Sequence, residues 1–398
     1  MLGRRRGDAK EKGAKASAKA GAKAIKAVPR AQRKVVFYAE SAADWAFLGP
    51  VYDRFVADMP SVIRVTSDAS DPVLEQPNAF FIGDGITRTV YFKTADADLF
   101  VMTLTDLDTM QLKRSVHPVH YAYIFHSIAS THRIYREHAF DHYDTLLCVG
   151  PHHVTELRRL EELYGLPKRT LLEHGYARLD VLLEACAALE ADPASVDFGP
   201  DPEPGGSRVL VAPSWGPTSL VDHGLDAMVA SLLAEGHSVT VRLHPMTRRH
   251  HPELEGELIA RHEPTGRFRF DPNIAATASL VAADTMISEW SGAALDYAFS
   301  RLRPVVFVDT PPKINNPNHA GVGLEVFEDG VRSRIGRIVP LDEIGSVGRV
   351  ASDLVAEADQ WATAIERERD GAVFNVGSSA HLGAQHLLAR CRDLGITA

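Results

Sequence analysis

The chain has 398 residues, 45% hydrophobic and 24% charged, with a net charge of -9, which is room for two or three domains with real cores and ordinary for a soluble globular protein. The charge is unevenly placed: residues 1–34 hold twelve Lys/Arg against Asp8 and Glu11, whereas the remainder holds 31 Lys/Arg against 50 Asp/Glu. An acidic body with only Lys93, Lys113, Lys168 and Lys313 after residue 34 argues against a basic groove for nucleic acid.

In chain order, residues 1–32 are Ala/Lys/Gly-rich and of low complexity. Read plainly, they are a disordered, solvated basic tail. Read functionally, they tether the chain to an anionic membrane surface, each basic residue adding about 1 kcal/mol near the lipid. From Lys34 an α/β pattern begins. Lys34–Ala39 reads as a strand and Asp44–Asp58 as a helix. Short apolar runs follow at Val62–Thr66, Ala79–Ile82, Leu99–Thr103, Val119–Phe125, Thr145–Val149 and Leu171–Glu173, with a helix at Pro151–Tyr164. The Pro/Gly-rich stretch Asp192–Ser207 reads as an inter-domain linker. A second set of strands then spans Arg208–Ala212, Ser238–Leu243, Arg267–Phe270, Thr285–Ser288, Val305–Val308 and Ile335–Val339. Helices are expected at Asp222–Glu235, His250–His262, Ile274–Ala282 and Gly292–Ser300. A last helix, Ser379–Leu394, is able to fold back on the first half. Alternation of this kind predicts βαβ units and mostly parallel sheets. The expectation is two Rossmann-like α/β domains facing a cleft: a basic tail at 1–32, an acceptor-side domain at 33–195, a donor-side domain at 205–375 and a terminal helix at 376–398.

Three cysteines, Cys148, Cys186 and Cys391, form no even set, and there is no C-x-x-C pair or H-E-x-x-H helix. A reducing compartment, no disulfide framework and no dedicated metal or other cofactor are therefore expected. No apolar run approaches the roughly 18 residues of a membrane span, and no apolar signal core opens the chain.

The motifs sit where the expected strands end, the edge at which open parallel sheets bind ligands. Ser288-Glu289-Trp290-Ser291-Gly292 joins an apolar strand to a helix carrying Asp296, so its hydroxyls and first free amides suit a diphosphate; the plainer reading is an N-cap serine. Arg242-Leu243-His244-Pro245 places Arg242 and His244 on one strand face, with Pro245 ending the strand. Arg offers a fork for phosphate oxygens and His a donor or acid, unless both are merely a solvated strand end. His126 closes an apolar strand and is suited to take a proton from a hydroxyl, although a histidine there is often structural. Gly175 allows a tight turn before Arg178 and Asp180, where Arg178 meets either a phosphate or Asp180. Ser214, in Ala212-Pro213-Ser214-Trp215-Gly216, either lines the cleft or turns the chain.

Taken together, these segments resemble the CDP-glycerol glycerophosphotransferases, the teichoic-acid primases and polymerases of bacterial envelopes. The matching stretches are His126-Ser127, Gly175-Tyr176-Ala177-Arg178-Leu179-Asp180, Pro213-Ser214-Trp215, Arg242-Leu243-His244-Pro245, Glu289-Trp290-Ser291-Gly292-Ala293-Ala294-Leu295-Asp296 and Arg303-Pro304-Val305-Val306-Phe307. Ser127 stands where that family has Gly, Ala177 where it has Pro, Glu289 where it has Asp and Gly292 where it has the second Ser. The resemblance implies a GT-B fold and transfer of a phosphoalditol from a CDP-linked donor to a hydroxyl of an envelope glycan or polyol phosphate, an acceptor that is lipid-linked in one version. His126 would be the base and His244 its catalytic partner. Arg242, Ser288, Ser291, Gly292 and Asp296 would hold the donor diphosphate, with Arg178, Ser214 and Glu289 as further cleft residues. A cytoplasmic protein, peripheral at the inner membrane face, is implied. Two other functions fit the same residues: a nucleotide-sugar-dependent glycosyltransferase and a non-catalytic nucleotide- or glycan-binding envelope protein.

Overall fold

The computed structural model describes residues 16–110, 112–273 and 276–397, and these fall into two compact units. The first takes in the described residues up to His126, then Tyr135–Arg178 and the chain from Phe374 onward; the second is Ser127–Ile134 with Leu179–Val373.

The first unit is built on seven strands: β1 (Val35–Ala39), β2 (Val62–Thr66), β3 (Ala79–Phe81), β4 (Leu99–Met102), β5 (His120–Ile124), β6 (Thr145–Cys148) and β7 (Thr170–Glu173). Their order is β3-β2-β1-β4-β5-β6-β7, and every neighbouring pair is parallel. Strand order therefore reverses between β1 and β4. All five residues of β1 and all four of β4 are buried, as expected of parallel strands covered on both faces. Leu48, Val51, Tyr52 and Phe55 of the helix Trp45–Phe55 share one core with β1, and Ala380, Ala384, Leu387 and Cys391 of the helix Ser379–Asp393, which packs on that helix, extend it. Burying each of the larger of these side chains, such as Leu48, Val51, Phe55 and Leu387, contributes about 1.5–3 kcal/mol. The terminal helix comes close because glycine lets it: a Cβ on Gly383 would lie 2.5 Å from the His174 ring.

The second unit has six strands: β8 (Arg208–Val211), β9 (Ser238–Val241), β10 (Phe268–Phe270), β11 (Thr285–Ser288), β12 (Val305–Asp309) and β13 (Gly336–Pro340). They run β10-β9-β8-β11-β12-β13, again all parallel, with the reversal between β8 and β11. Leu225, Met228, Val229, Leu232 and Leu233 from one helix and Val347, Ala351 and Leu354 from another cover this sheet. Along the helix Gly292–Arg301 every residue from Ala294 to Ser300 is buried.

Departures from the sequence reading have local causes. Residues 16–27 of the expected disordered tail are helical, with Ala18 and Ile25 buried; residues 1–15 lie outside the described residues. The expected helix 250–262 is two, Pro245–His250 and Leu254–His262, because Pro252 cannot donate within a continuing helix. The expected helix 274–282 is Ala278–Ala282, residues 274–275 lying outside the described ones. The helix Ile86–Thr94 escapes a pattern search because its Ile86 and Val90 face solvent and its β-branched residues favour strand. Ala177–Ala191 shows no apolar stripe, because Arg178, Asp180, Glu184 and Glu190 are spread around it. The Glu173–Asp180 motif is therefore a strand end, a glycine turn and the first turn of this helix.

Gly175 has φ +96°, and a Cβ there would lie 2.2 Å from the Phe374 carbonyl oxygen and 2.4 Å from Ser379 Oγ. Gly175→Ala should lower unfolding stability by about 2 kcal/mol or more, from a left-handed backbone and overpacking together; denaturant titration checks this, and an unchanged midpoint would contradict it. Burial, reinforced by nearby His386, pushes His174 down to about 3. The unfolded chain then binds the extra proton between about pH 6.5 and 3, so His174's contribution is complete above 6.5 and is lost as pH falls. Melting curves from pH 7.5 to 4.5 should show a shallower acid decline in His174→Gln than in the parent, and parallel profiles would refute that assignment.

Candidate functional site

The C-terminal ends of β8, β9 and β11 carry the motif residues of the second unit, and the sheet order reverses between β8 and β11. Two contacts join β8 to β11 there. Ser288 Oγ donates to the Ala212 carbonyl at 2.7 Å. Glu289 Oε1 accepts from the Ser214 amide at 2.8 Å, the Ser214 hydroxyl at 2.9 Å and the Leu220 amide at 3.2 Å. Burial raises the Glu289 carboxyl above its usual range, opposed by these same donors.

The helix Gly292–Arg301 starts directly beyond this clasp. Ser291 is its N-cap, Oγ accepting the Ala293 amide at 3.3 Å. The Ala294 amide is taken by the Ser291 carbonyl, while the Gly292 N–H meets no partner among the described residues. No larger residue fits easily at Gly292, because a Cβ would sit 3.1 Å from Ser127 Oγ. Asp296 is buried one turn further on, its carbonyl accepting the Ser300 hydroxyl at 2.7 Å.

β9 stops at Val241, so strand alternation does not set Arg242 and His244. Pro245 is not a strand terminator but the first residue of a short helix, for which its fixed φ is suited. His244 caps that helix, its Nδ1 accepting the Met246 amide at 3.1 Å. The neutral ring accordingly carries its hydrogen on Nε2. The Trp215 ring lies 6.0 Å from His244, inclined at 31°. Arg242 is turned to β10: its guanidinium meets Asp271 at 2.8 Å, the Ala276 carbonyl at 3.0 Å and the Ser279 hydroxyl. Burial works to raise Asp271, but Arg242 and the other donors hold it below the usual carboxylate range. Nothing near Arg242 in sequence announces Asp271; the fold brings the two together.

In the first unit His126 follows β5. Its Nδ1 lies 3.0 Å from the Tyr123 hydroxyl, and its ring meets those of Phe47 and Tyr135 at 6.0 and 5.5 Å. The Tyr176 hydroxyl donates to its carbonyl at 3.3 Å. Arg178, buried, has its guanidinium carbon 5.9 Å from the centroid of the same Phe47 ring, so the structure gathers His126 and Arg178 around one aromatic. For His126 to accept a proton at Nε2, Nδ1 must carry hydrogen and donate to the Tyr123 oxygen. Asp44, at the N-cap of the helix Trp45–Phe55, has no functional role in the sequence reading; burial raises it to about 6 against the Ser41 and Glu40 amides that lower it. The clue in sequence is its place at the start of the expected helix Asp44–Asp58.

Among the described residues no cluster of three or more His, Cys, Asp or Glu side chains is placed to hold a metal ion, all three cysteines are free and buried, and no helix is long and apolar enough to cross a membrane.

No protein-family model matches the chain, and no curated protein sequence matches it. Solved structures do. A structure of the wall teichoic acid polymerase TagF is 13% identical, with 90% of each chain covered and a TM-score of 0.61. A TagF variant soaked with CDPG is 12% identical over 90% of this chain and 89% of that one, with a TM-score of 0.59. UDP-GlcNAc 2-epimerase from Neisseria meningitidis, bound to UDP-GlcNAc, is 10% identical over 90% of this chain and all of the other, with a TM-score of 0.53. At such identities the likeness is one of fold: the chain has the GT-B-like α/β fold, with two wholly parallel sheets.

Proposed function

We propose that this chain is a transferase of the CDP-glycerol glycerophosphotransferase kind, moving glycerol phosphate or a related phosphoalditol from a CDP-linked donor to a hydroxyl of an envelope glycan or polymer. The observation that carries this reading is the strand-end group of the second unit. There an unclaimed Gly292 amide opens a ten-residue helix, and the capping geometry of His244 fixes a hydrogen on Nε2. Helix amides and an imidazole N–H are donors suited to phosphoryl oxygens. The fold shared with TagF supports the same class of donor.

In the reaction proposed, the acceptor oxygen attacks the phosphorus of the alditol phosphate. The bond from that phosphorus to the bridging oxygen breaks, and CMP departs with the electron pair. The acceptor's proton passes to His126 Nε2, with Tyr123 holding the opposite nitrogen. His244 Nε2–H and the Gly292 amide meet the charge that develops on the phosphoryl oxygens. Ser291 adds its hydroxyl hydrogen, since capping uses only an oxygen lone pair. Ser288, Ser214 and Glu289 position this edge, and Arg242 holds the 242–244 turn through Asp271. Asp296 and Arg178 act as buried supports of their helices.

A second reading, transfer from a nucleotide-sugar, is favoured by the fold likeness to UDP-GlcNAc 2-epimerases. Products separate the two: the first leaves a phosphodiester and releases CMP, the second a glycosidic bond and a nucleoside diphosphate. With CDP-glycerol as donor, His126→Ala and His244→Ala should each lower kcat by about 10²–10⁴, measured as CMP release. Unimpaired turnover by both variants would reject the mechanism.

A further inference from the structure

Lys313, on the loop after β12, is one of four lysines beyond residue 34, where the chain otherwise uses arginine. Its Nζ stands 4.5 Å from the centroid of the Trp215 ring, the same ring that approaches His244. Among the described residues nothing hydrogen-bonds or ion-pairs with this ammonium. Its nearest influential carboxylate, Glu289, has Oε1 filled by Ser214 and Leu220. The loop is pinned on both sides of Lys313: the Thr310 carbonyl accepts the Trp290 indole N–H at 2.8 Å, and Asn316 donates to the His132 carbonyl at 2.9 Å. Pro311 and Pro312 restrict the backbone between.

An ammonium has three hydrogens to satisfy. An indole face offers a cation about 0.5–2 kcal/mol, which does not replace lost water for a group that is mostly buried. Most cations of this unit are matched, Arg242 by Asp271, Arg332 by Asp309 and Arg133 by Asp329. Lys313 is held at the strand-end edge with no protein acceptor for its hydrogens among the described residues, so an arriving anion would take them over from water.

We propose that Lys313, with Trp215 beneath it and His244 beside that ring, forms an anion subsite that takes the phosphoryl oxygens of the bound ligand. That the ligand is a nucleoside diphosphate rests on the function proposed above; the subsite itself does not. Burial pushes the Lys313 amine down to about 8, against Glu289, which raises it. An arriving phosphate would draw a proton onto it. Without ligand, the unfolded chain holds that proton more firmly from about pH 8 to 10.5, so Lys313 lowers stability at neutral pH and ceases to do so as pH rises.

The test is calorimetric titration of the full chain, Lys313→Met and Lys313→Arg with CDP and with inorganic pyrophosphate at pH 8.0, in Tris and in HEPES, with thermal melts alongside. Lys313→Met should bind both probes about tenfold or more weakly without a lower melting temperature. Lys313→Arg should keep the affinity, while the parent takes up about half a proton more than Lys313→Arg on binding. Equal affinity in the parent and Lys313→Met would overturn the proposal and make Lys313 an ordinary lysine whose stem packs on Trp215 with its head in water. Lys313-dependent pyrophosphate binding without CDP binding would uphold the subsite and sink the nucleotide donor. Binding of neither probe by the parent would reject both.

Discussion

Glu289 is the point on which the second unit's edge is built. A carboxylate with no access to water must find its donors inside the protein or become neutral. Here it draws the Ser214 amide and hydroxyl and the Leu220 amide onto one oxygen. Because Ser214 follows β8 and Glu289 follows β11, meeting that demand closes the two strand ends on each other where the sheet order reverses. The Trp215 ring and the first turn of the helix Gly292–Arg301 inherit their positions from this clasp. Losing one partner of such a buried group leaves the other unsatisfied, at a cost of about 1–3 kcal/mol.

Around the clasp, the charges divide into two kinds. Arg242 and Asp271 are paired and buried, and so hold β9 to β10 without offering anything to solvent. Arg332 lies 3.8 Å from the Trp290 ring centroid and meets Asp309 at 3.1 Å. Lys313 and the Gly292 amide are the other kind, donors kept in place with no protein acceptor among the described residues. Fixed, unsatisfied positive groups are costly to a resting protein and useful to one that must stabilise phosphoryl charge, since no reorganisation is needed when the anion arrives.

The parallel sheets were legible in the sequence because buried parallel strands are short apolar runs with few alternatives. β1, β4 and β11 fall within a residue of their expected limits. Helices were harder wherever apolar residues faced solvent, as Ile86 does, or formed no stripe, as in Ala177–Ala191. Local backbone next to a turn signal was legible: Ser291 caps a helix, its plainer reading, and Gly175 takes a positive φ. Residues whose partners lie far off in the chain were not. Asp271 claims Arg242 from 29 positions away, and Trp215 reaches Lys313 across nearly a hundred residues. No local pattern encodes such pairings; they follow from strand order, which only the folded sheet reveals.

The central claim is that the strand-end edge of the second unit grips a diphosphate. A crystal structure with CDP-glycerol bound tests it most directly. Phosphoryl oxygens within hydrogen-bonding distance of the Gly292 amide and His244 Nε2 are the expected result. A donor seated away from both groups, with Arg242 still locked to Asp271, would contradict it.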